Sequence, residues 1–412
     1  MLLRSRTVLP ISRPRIDDGA VRIDGDRITA VGAWRELAPH HTGEVTDLGD
    51  AILLPGLINA HCHLDYTDMA GLIPPPKIFS DWIKSIVALK ANWSYTDFAE
   101  SWLNGAGQLL RHGVTTVVDI EAVPELLPEV WHDTPLRVLS CLELISIKSR
   151  LAARELVEQA AAKAASLNDP LKSAALSPHA PYTTSPELVR LAADISRQRR
   201  WPLTMHVAES AEEFAMFTQR AGPLHDWLRP QRDMSDCTGA SPVQWLEQHG
   251  ALAENFLAVH VNHLAEGDAA LLARRRVSVV HCPRSHAYFA HARFPLDALQ
   301  QAGVNIYLGT DSLASVRKQR NEPLELDLFA EMRSFAESEP AWSPEAILQL
   351  ATVNAARALG RSGELGELCA GAAADLVAIP GSAGAADPFT QVLAHRGPVT
   401  ALMIAGKWVW KS

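Results

Sequence analysis

Eight short apolar runs, separated by longer stretches of helical periodicity, constrain this sequence more than any other feature. The runs lie at 57–62, 114–119, 136–142, 173–177, 203–207, 256–261, 277–282 and 304–309. Helical patterns fill 96–112, 151–167, 185–200, 267–275 and 296–302, and two more, 322–337 and 343–359, follow the last run. Parallel strands need a long crossover connection, which a helix supplies, so the alternation predicts a parallel sheet. Eight such units close a (β/α)8 barrel, making the fold class α/β. The flanks read differently. Before residue 55, Asp18-Gly19, Asp24-Gly25-Asp26 and Gly32 punctuate short alternating runs, the pattern of hairpins. After Gly360, β character returns in the segments ending Asp375-Leu-Val-Ala-Ile379 and Gly406-Lys-Trp-Val-Trp410. The expected organisation is a small β-sandwich domain built from residues 1–54 and 364–412, with the barrel, residues 55–363, inserted between its halves. Residues 220–242, rich in Pro, Gly and polar side chains, read as a long loop before a short helix.

Composition narrows the function. The net charge of −9, without a long run of one sign, argues against nucleic acid as a partner, since such proteins carry a basic face. No stretch is long and apolar enough to span a bilayer, and the first ten residues lack the continuous apolar core of a signal peptide. The five scattered cysteines read as reduced thiols rather than a disulfide framework. Together these predict a cytoplasmic protein that meets a small molecule and not a membrane. A homo-oligomer is compatible with the sequence.

The chemistry gathers where the apolar runs end. In a barrel enzyme the active site lies at the C-terminal ends of the strands. The first run ends His61-Cys62-His63, and residues i and i+2 of a strand share a face, so the two imidazoles point together. The fourth leads into Ser177-Pro-His179, the fifth ends His206-Val-Ala-Glu209, the sixth reaches His260, the seventh His281 and the eighth Gly309-Thr-Asp311. Any one of these alone reads as a satisfied histidine or a capping aspartate. Their recurrence at successive strand ends points to a metal site, because imidazole and carboxylate are ligands for divalent ions.

These motifs, H-x-H, S-P-H-A-P, H-V-A-E, H-V-N-H, H-C-P-R-S and L-G-T-D-S, resemble the amidohydrolase superfamily. The similarity is to the branch of purine and pterin deaminases, S-adenosylhomocysteine and methylthioadenosine deaminases and triazine chlorohydrolases. It runs over nearly the whole chain. The resemblance implies that His61, His63, His206 and Asp311 hold the metal and that Glu209 shuttles protons. It further implies that His260 contacts the attacking water or the substrate, that His281 holds the substrate or the charge developing at the reacting carbon, and that His179 contacts the substrate. His263 and His286 have no counterpart among these roles and read as supporting residues. A ligand set of three imidazoles and one carboxylate leaves room for a water on the ion, which lowers its pKa from about 15.7 toward roughly 7. Binuclear members of the superfamily carry a modified lysine at the end of the fourth strand. Here Ala174-Ala-Leu-Ser-Pro178 stand there, which favours one ion, zinc first and iron second.

Two departures bear on the substrate. Phe79-Ser-Asp-Trp82 begins a stretch that resembles a substrate-side helix, which makes Trp82 a candidate contact. In the S-adenosylhomocysteine deaminases that helix continues to a glutamate that holds ribose hydroxyls. Here the position falls near Ala91, beside Lys90. Past the seventh run, Arg284 replaces an uncharged pattern. If Arg284 and Lys90 face the cavity, they favour an acidic or aromatic substrate tail. Aminodeoxyfutalosine, an adenine nucleoside with a benzoate tail from menaquinone synthesis, then becomes the best fit. If they are solvated or structural, that preference falls away. The alternatives are S-adenosylhomocysteine or methylthioadenosine, guanine or pterin deaminases and a triazine-type chlorohydrolase. A dihydroorotase-type hydrolase is disfavoured by the missing lysine, and a non-enzymatic scaffold by the complete ligand set.

Overall fold

The computed structural model describes residues 1–318, 324–382 and 386–411. Eight parallel strands form a nearly closed barrel: Leu57–Cys62, Val114–Glu121, Arg137–Leu144, Lys172–Pro178, Leu203–Val207, Phe256–His260, Ser278–His281 and Ile306–Leu308. Each pairs with the next in sequence. The interior is apolar. Ile58, Val118, Cys141, Ala175, Leu257, Val280, Cys282 and Tyr307 belong to one buried cluster, and side chains from seven strands can meet only on the barrel axis. The helices cover the outside, and several of them start where a serine or aspartate supplies a cap. Ser185 accepts from the Leu188 N–H, and Ser94 and Asp97 form a reciprocal capping box.

A second sheet takes strands from both ends of the chain. Leu2–Val8, Ile16–Asp24, Arg27–Ala33, Val45–Asp47 and Ala51–Pro55 come from the beginning; Leu376–Pro380, Ala401–Ile404 and Lys407–Lys411 come from the end. The two groups join where Ala51–Pro55 runs antiparallel to Leu376–Pro380. Arg137 at the start of the third barrel strand pairs with Asp375 beside this sheet, both largely buried. No helix among the described residues is long and apolar enough to cross a membrane. All five cysteines are free.

Several elements differ from the sequence reading. The second and third strands run two residues past their apolar parts and end on Glu121 and Leu144. The helix expected over 343–359 is two helices, Pro344–Leu350 and Val353–Ala358. The break lies at Thr352, where the backbone of Gly366 presses so closely that a Cβ would stand 2.7 Å from the Thr352 carbonyl. Of the helix expected over 322–337, residues 322 and 323 lie outside the described residues, and the helix runs Leu328–Ser338. Residues 220–242 contain a short helix, Pro223–Leu228.

The barrel closes through very few bonds. Strand eight meets strand one at a single bridge, Cys62 to Asp311, with the N–H groups of Thr310 and Asp311 both donating to the His61 carbonyl at 3.0 and 3.1 Å. Asn59 supports the seam by exchanging hydrogen bonds with Thr310. The approach needs Gly309, because a Cβ there would lie 2.8–2.9 Å from His61 atoms, including its backbone N and O. Gly309→Ala therefore forces the two strands apart. Its expected cost is about 1–3 kcal/mol, the usual range for overpacking, seen as a lower urea midpoint. Wild-type stability would show that the seam can yield without loss.

Candidate metal centre and substrate cavity

The sequence-predicted ligands converge. His61 Nε2 and His63 Nε2 each lie 3.6 Å from Asp311 Oδ1, and His63 Nε2 lies 3.4 Å from His206 Nε2. One ligand atom each from His61, His206, His260 and Asp311 falls within 4.8 Å of the others. All five side chains are buried. Two backbone distortions aim them. His260 has φ 72° and Asp311 φ 55°, left-handed values that a non-glycine residue rarely adopts and that gather at functional sites.

The donor set fits a single divalent cation. Both ring nitrogens of His61 are buried without a partner, a costly state for a polar group away from water. His206 Nδ1 donates to the His179 carbonyl at 2.8 Å, which turns the Nε2 lone pair toward the cluster. Burial, followed by the neighbouring histidines, holds the His206 imidazole well below its usual pKa, and burial followed by His61 does the same to His63. Both rings are therefore held toward the neutral form, the one whose lone pair can serve an ion. Burial pushes the Asp311 carboxyl up, but the imidazoles of His61, His260 and His63 around it outweigh that and leave it well below the usual carboxylate range. Its Oδ2 accepts from Ser285 at 2.6 Å and Ser315 at 2.9 Å, so Oδ1 is the atom left facing the histidines. The chain after His63 is tied down by Asp119, whose oxygens accept from the Leu64 N–H, the Trp102 indole and Ser140. The lysine of the fourth strand, Lys172, sits at the opposite end of the barrel, beside Asp169.

Glu209 is buried beside this cluster, with Oε1 3.6 Å from His260 Nε2. Burial, then the charges of Asp311 and Glu213, raises its carboxyl well above the usual value. Burial lowers His260 to about 3. A cavity of about 250 Å³ opens over His63, His206, Glu209, His260 and Asp311. Trp82 and His179 line it, as the sequence suggested. The Trp82 indole donates to the Ala314 carbonyl at 3.2 Å, and His179 Nδ1 pairs with Thr183 at 2.7 Å. Lys90 lines it too, with Nζ against the Tyr66 hydroxyl and 4.6 Å from the ring centre. Further lining residues escaped the sequence reading, among them Tyr66, Glu143, Lys148, Tyr182 and Trp227. Glu143 lies in the two residues by which the third strand outruns its apolar part, and Trp227 on the helix Pro223–Leu228.

Two predicted contacts lie elsewhere. His281 does not line the cavity. Its neighbours Val280 and Cys282 point to the barrel axis, and alternation turns His281 off that inner row. Its ring stacks on Phe294 at 4.0 Å. Arg284 does not line it either. The Arg284 backbone N–H donates to Glu331 Oε2 at 2.9 Å, its Nε pairs with Oε1, and Nη2 donates to the Glu325 carbonyl at 3.0 Å. A fully buried carboxylate thus takes the guanidinium that was expected to meet the substrate.

The model of the amidohydrolase family matches residues 52–409. The chain belongs to the amidohydrolase family. It is a hydrolase acting on carbon–nitrogen bonds. This amidohydrolase is 32% identical over 381 residues to a 5-methylthioadenosine/S-adenosylhomocysteine deaminase of Syntrophobacter fumaroxidans, covering 89% of this chain and 80% of that one. It is 29% identical to the deaminase of the same description from Pyrococcus furiosus, covering 88% and 81%. Among solved structures, a zinc-bound adenosine deaminase from Xanthomonas campestris matches with a TM-score of 0.86 at 28% identity, over 100% of this chain and 92% of that one.

The Arg284–Glu331 pair generates a stability prediction. Burial pushes Glu331 up to about 7 against the pull of Arg284. Arg284→Ala leaves that carboxylate buried without its partner and should cost about 3–5 kcal/mol, measured by urea unfolding. A variant as stable as the wild type would contradict the structural role assigned to the pair.

Proposed function

We propose that this amidohydrolase is a mononuclear metal-dependent deaminase of 6-aminopurine nucleosides. The observation that carries the reading is Glu209: a buried carboxyl three residues beyond a histidine of the cluster, 3.6 Å from His260 and open to the cavity. The deaminase names of the relatives support it. His61, His63, His206 and Asp311 would hold the ion. His260, which faces Glu209 as well as the cluster, would orient the attacking water. Zinc is the first choice, since the set of three imidazoles and a carboxylate suits it and the adenosine deaminase neighbour is described with bound zinc. Iron is the second. When bound, the ion supplies Lewis-acid activation of water for attack on the amine-bearing carbon.

The residues of the chain do the rest. Glu209 accepts a proton from the attacking water and delivers it to the amine nitrogen, which leaves as ammonia, while the proton left on the new hydroxyl passes to the adjacent ring nitrogen as the carbon becomes a carbonyl. Its raised proton affinity suits a group that must hold a proton between the two transfers. His179, fixed through Nδ1 by Thr183, presents its other nitrogen for the purine. Trp82, Tyr182 and Trp227 provide aromatic surface for the base and its extension.

The substrate tail is read from the cavity. Lys90 and Lys148 both line it, and their ammonium groups favour a tail that ends in an anion. S-adenosylhomocysteine and aminodeoxyfutalosine carry a carboxylate there, and methylthioadenosine does not. Aminodeoxyfutalosine remains our preferred substrate because an aromatic tail also matches the apolar wall of Ile83, Ile86, Ile145 and Ile147. This preference rests on Lys90 and Lys148, since Arg284 is engaged elsewhere.

The test is ammonia release from adenosine, methylthioadenosine, S-adenosylhomocysteine and aminodeoxyfutalosine. The acid-tailed nucleosides should give the highest kcat/KM, and Lys90→Ala should narrow their advantage. Glu209→Gln should retain metal and lose about 10²–10⁴-fold in kcat, the usual contribution of general acid–base catalysis. No ammonia from any of the four would refute the deaminase reading. Equal kcat/KM for acidic and neutral tails would refute the tail assignment alone.

A further inference from the structure

We propose that Glu213 is the positioning residue for Glu209, an inference that rests on the proton-shuttle role given to Glu209 above. Strand five ends at Val207, and Ala208 turns the chain with φ 49°, a left-handed value for a residue that carries a Cβ. The turn removes the N–H groups of Ala208 and Glu209 from the sheet ladder. Glu213, in the first turn of the helix Ala211–Gln219, accepts both: Ala208 N–H to Oε1 at 3.0 Å and Glu209 N–H to Oε2 at 2.8 Å.

This is not ordinary helix capping. Ser210 caps the helix by accepting from the Glu213 N–H at 3.1 Å. In a capping box the third helical residue returns the bond to the N-terminal cap's own N–H. Here the Glu213 carboxylate passes that group and reaches the residues ahead of it. The carbonyls of the same two residues are held from the segment that follows strand six. Ala208 O accepts from the N–H groups of Asn262 and His263 at 3.0 and 3.2 Å. Glu209 O accepts from the Asn262 side-chain amide at 2.9 Å, and His286 Nδ1 pairs with Asn262 Oδ1 at 3.0 Å. All four backbone polar groups of Ala208 and Glu209 are therefore fixed. Glu213 is completely buried and does not line the cavity, so its influence reaches the reaction only through Glu209. An unsupported turn would relax toward ordinary extended or helical angles and swing the Glu209 carboxylate away from His260.

Glu213→Gln tests this, because the amide keeps an acceptor at only one of the two oxygen positions that the N–H groups address and places an NH2 donor at the other. Turnover of methylthioadenosine, adenosine and aminodeoxyfutalosine is compared among wild type, Glu213→Gln, Glu209→Gln and the double variant, with metal content measured alongside. The expected result is a fall in kcat of about 10–10²-fold, the scale of a catalytic group displaced by about an ångström. KM should change less than about twofold, metal content should not change, and the double variant should be no slower than Glu209→Gln, as for residues that act as a unit. Wild-type kcat in Glu213→Gln, or losses that multiply in the double variant, would overturn the proposal. If Glu213→Gln does not fold, Asn262→Asp releases Glu209 from the opposite side and should show the same kcat-selective, non-additive loss; additive loss overturns the proposal there too. Amide hydrogen exchange keeps the test separate from the deaminase reading. Faster exchange at Ala208 and Glu209 in Glu213→Gln is required even if none of the nucleosides is a substrate, and unchanged protection overturns the proposal.

Discussion

The two hydrogen bonds from Thr310 and Asp311 to the carbonyl of His61 are the joint on which the structure turns. They join the first and last strands of the barrel, residues far apart in sequence, through a gap that only glycine at 309 leaves open. The same residues carry two groups of the buried cluster, the His61 imidazole and the Asp311 carboxylate. The contacts that close the barrel thus also place two groups of the cluster. Because His61 has two buried nitrogens without partners, an ion that binds there relieves a cost the fold otherwise carries. Binding free energy at such a site becomes folding free energy.

Strain is concentrated around that joint. Ala208, His260, Val261 and Asp311 all take left-handed backbone angles, at the ends of strands five, six and eight. For a β-branched residue such as Val261 this is a severe departure. The surroundings hold it: the Val261 N–H donates to Val207 O, and the 208–209 turn is bound by Glu213 and Asn262. In strand six, Leu257 and Val259 point to the barrel axis, so regular alternation would carry His260 away from it. Its positive φ ends that alternation and brings the ring to within 5.5 Å of His206.

Much of this was legible in the chain. The first and fifth strands match the apolar runs end to end, because a buried parallel strand is a continuous apolar segment. The convergence of His61, His63, His206 and Asp311 was readable because strand ends in a barrel share one face. Where polar groups extend a strand the same rule fails: the third apolar run ends at residue 142, one residue short of Glu143 in the cavity wall. His281 was misplaced because proximity to a strand end says nothing about parity, and Cys282 already points to the axis. Arg284 was misplaced for a different reason. Its partner, Glu331, lies 47 residues away on another helix, and no local pattern announces a tertiary ion pair.

Anomalous X-ray diffraction from crystals of the purified protein tests the centre most directly, with data collected on both sides of the zinc and iron absorption edges. One peak is expected, within about 2.0–2.2 Å of His61, His63, His206 and Asp311 if the ion is zinc. Two peaks, or a single peak that leaves His63 or Asp311 uncoordinated, would contradict the mononuclear centre from which the proposed chemistry follows.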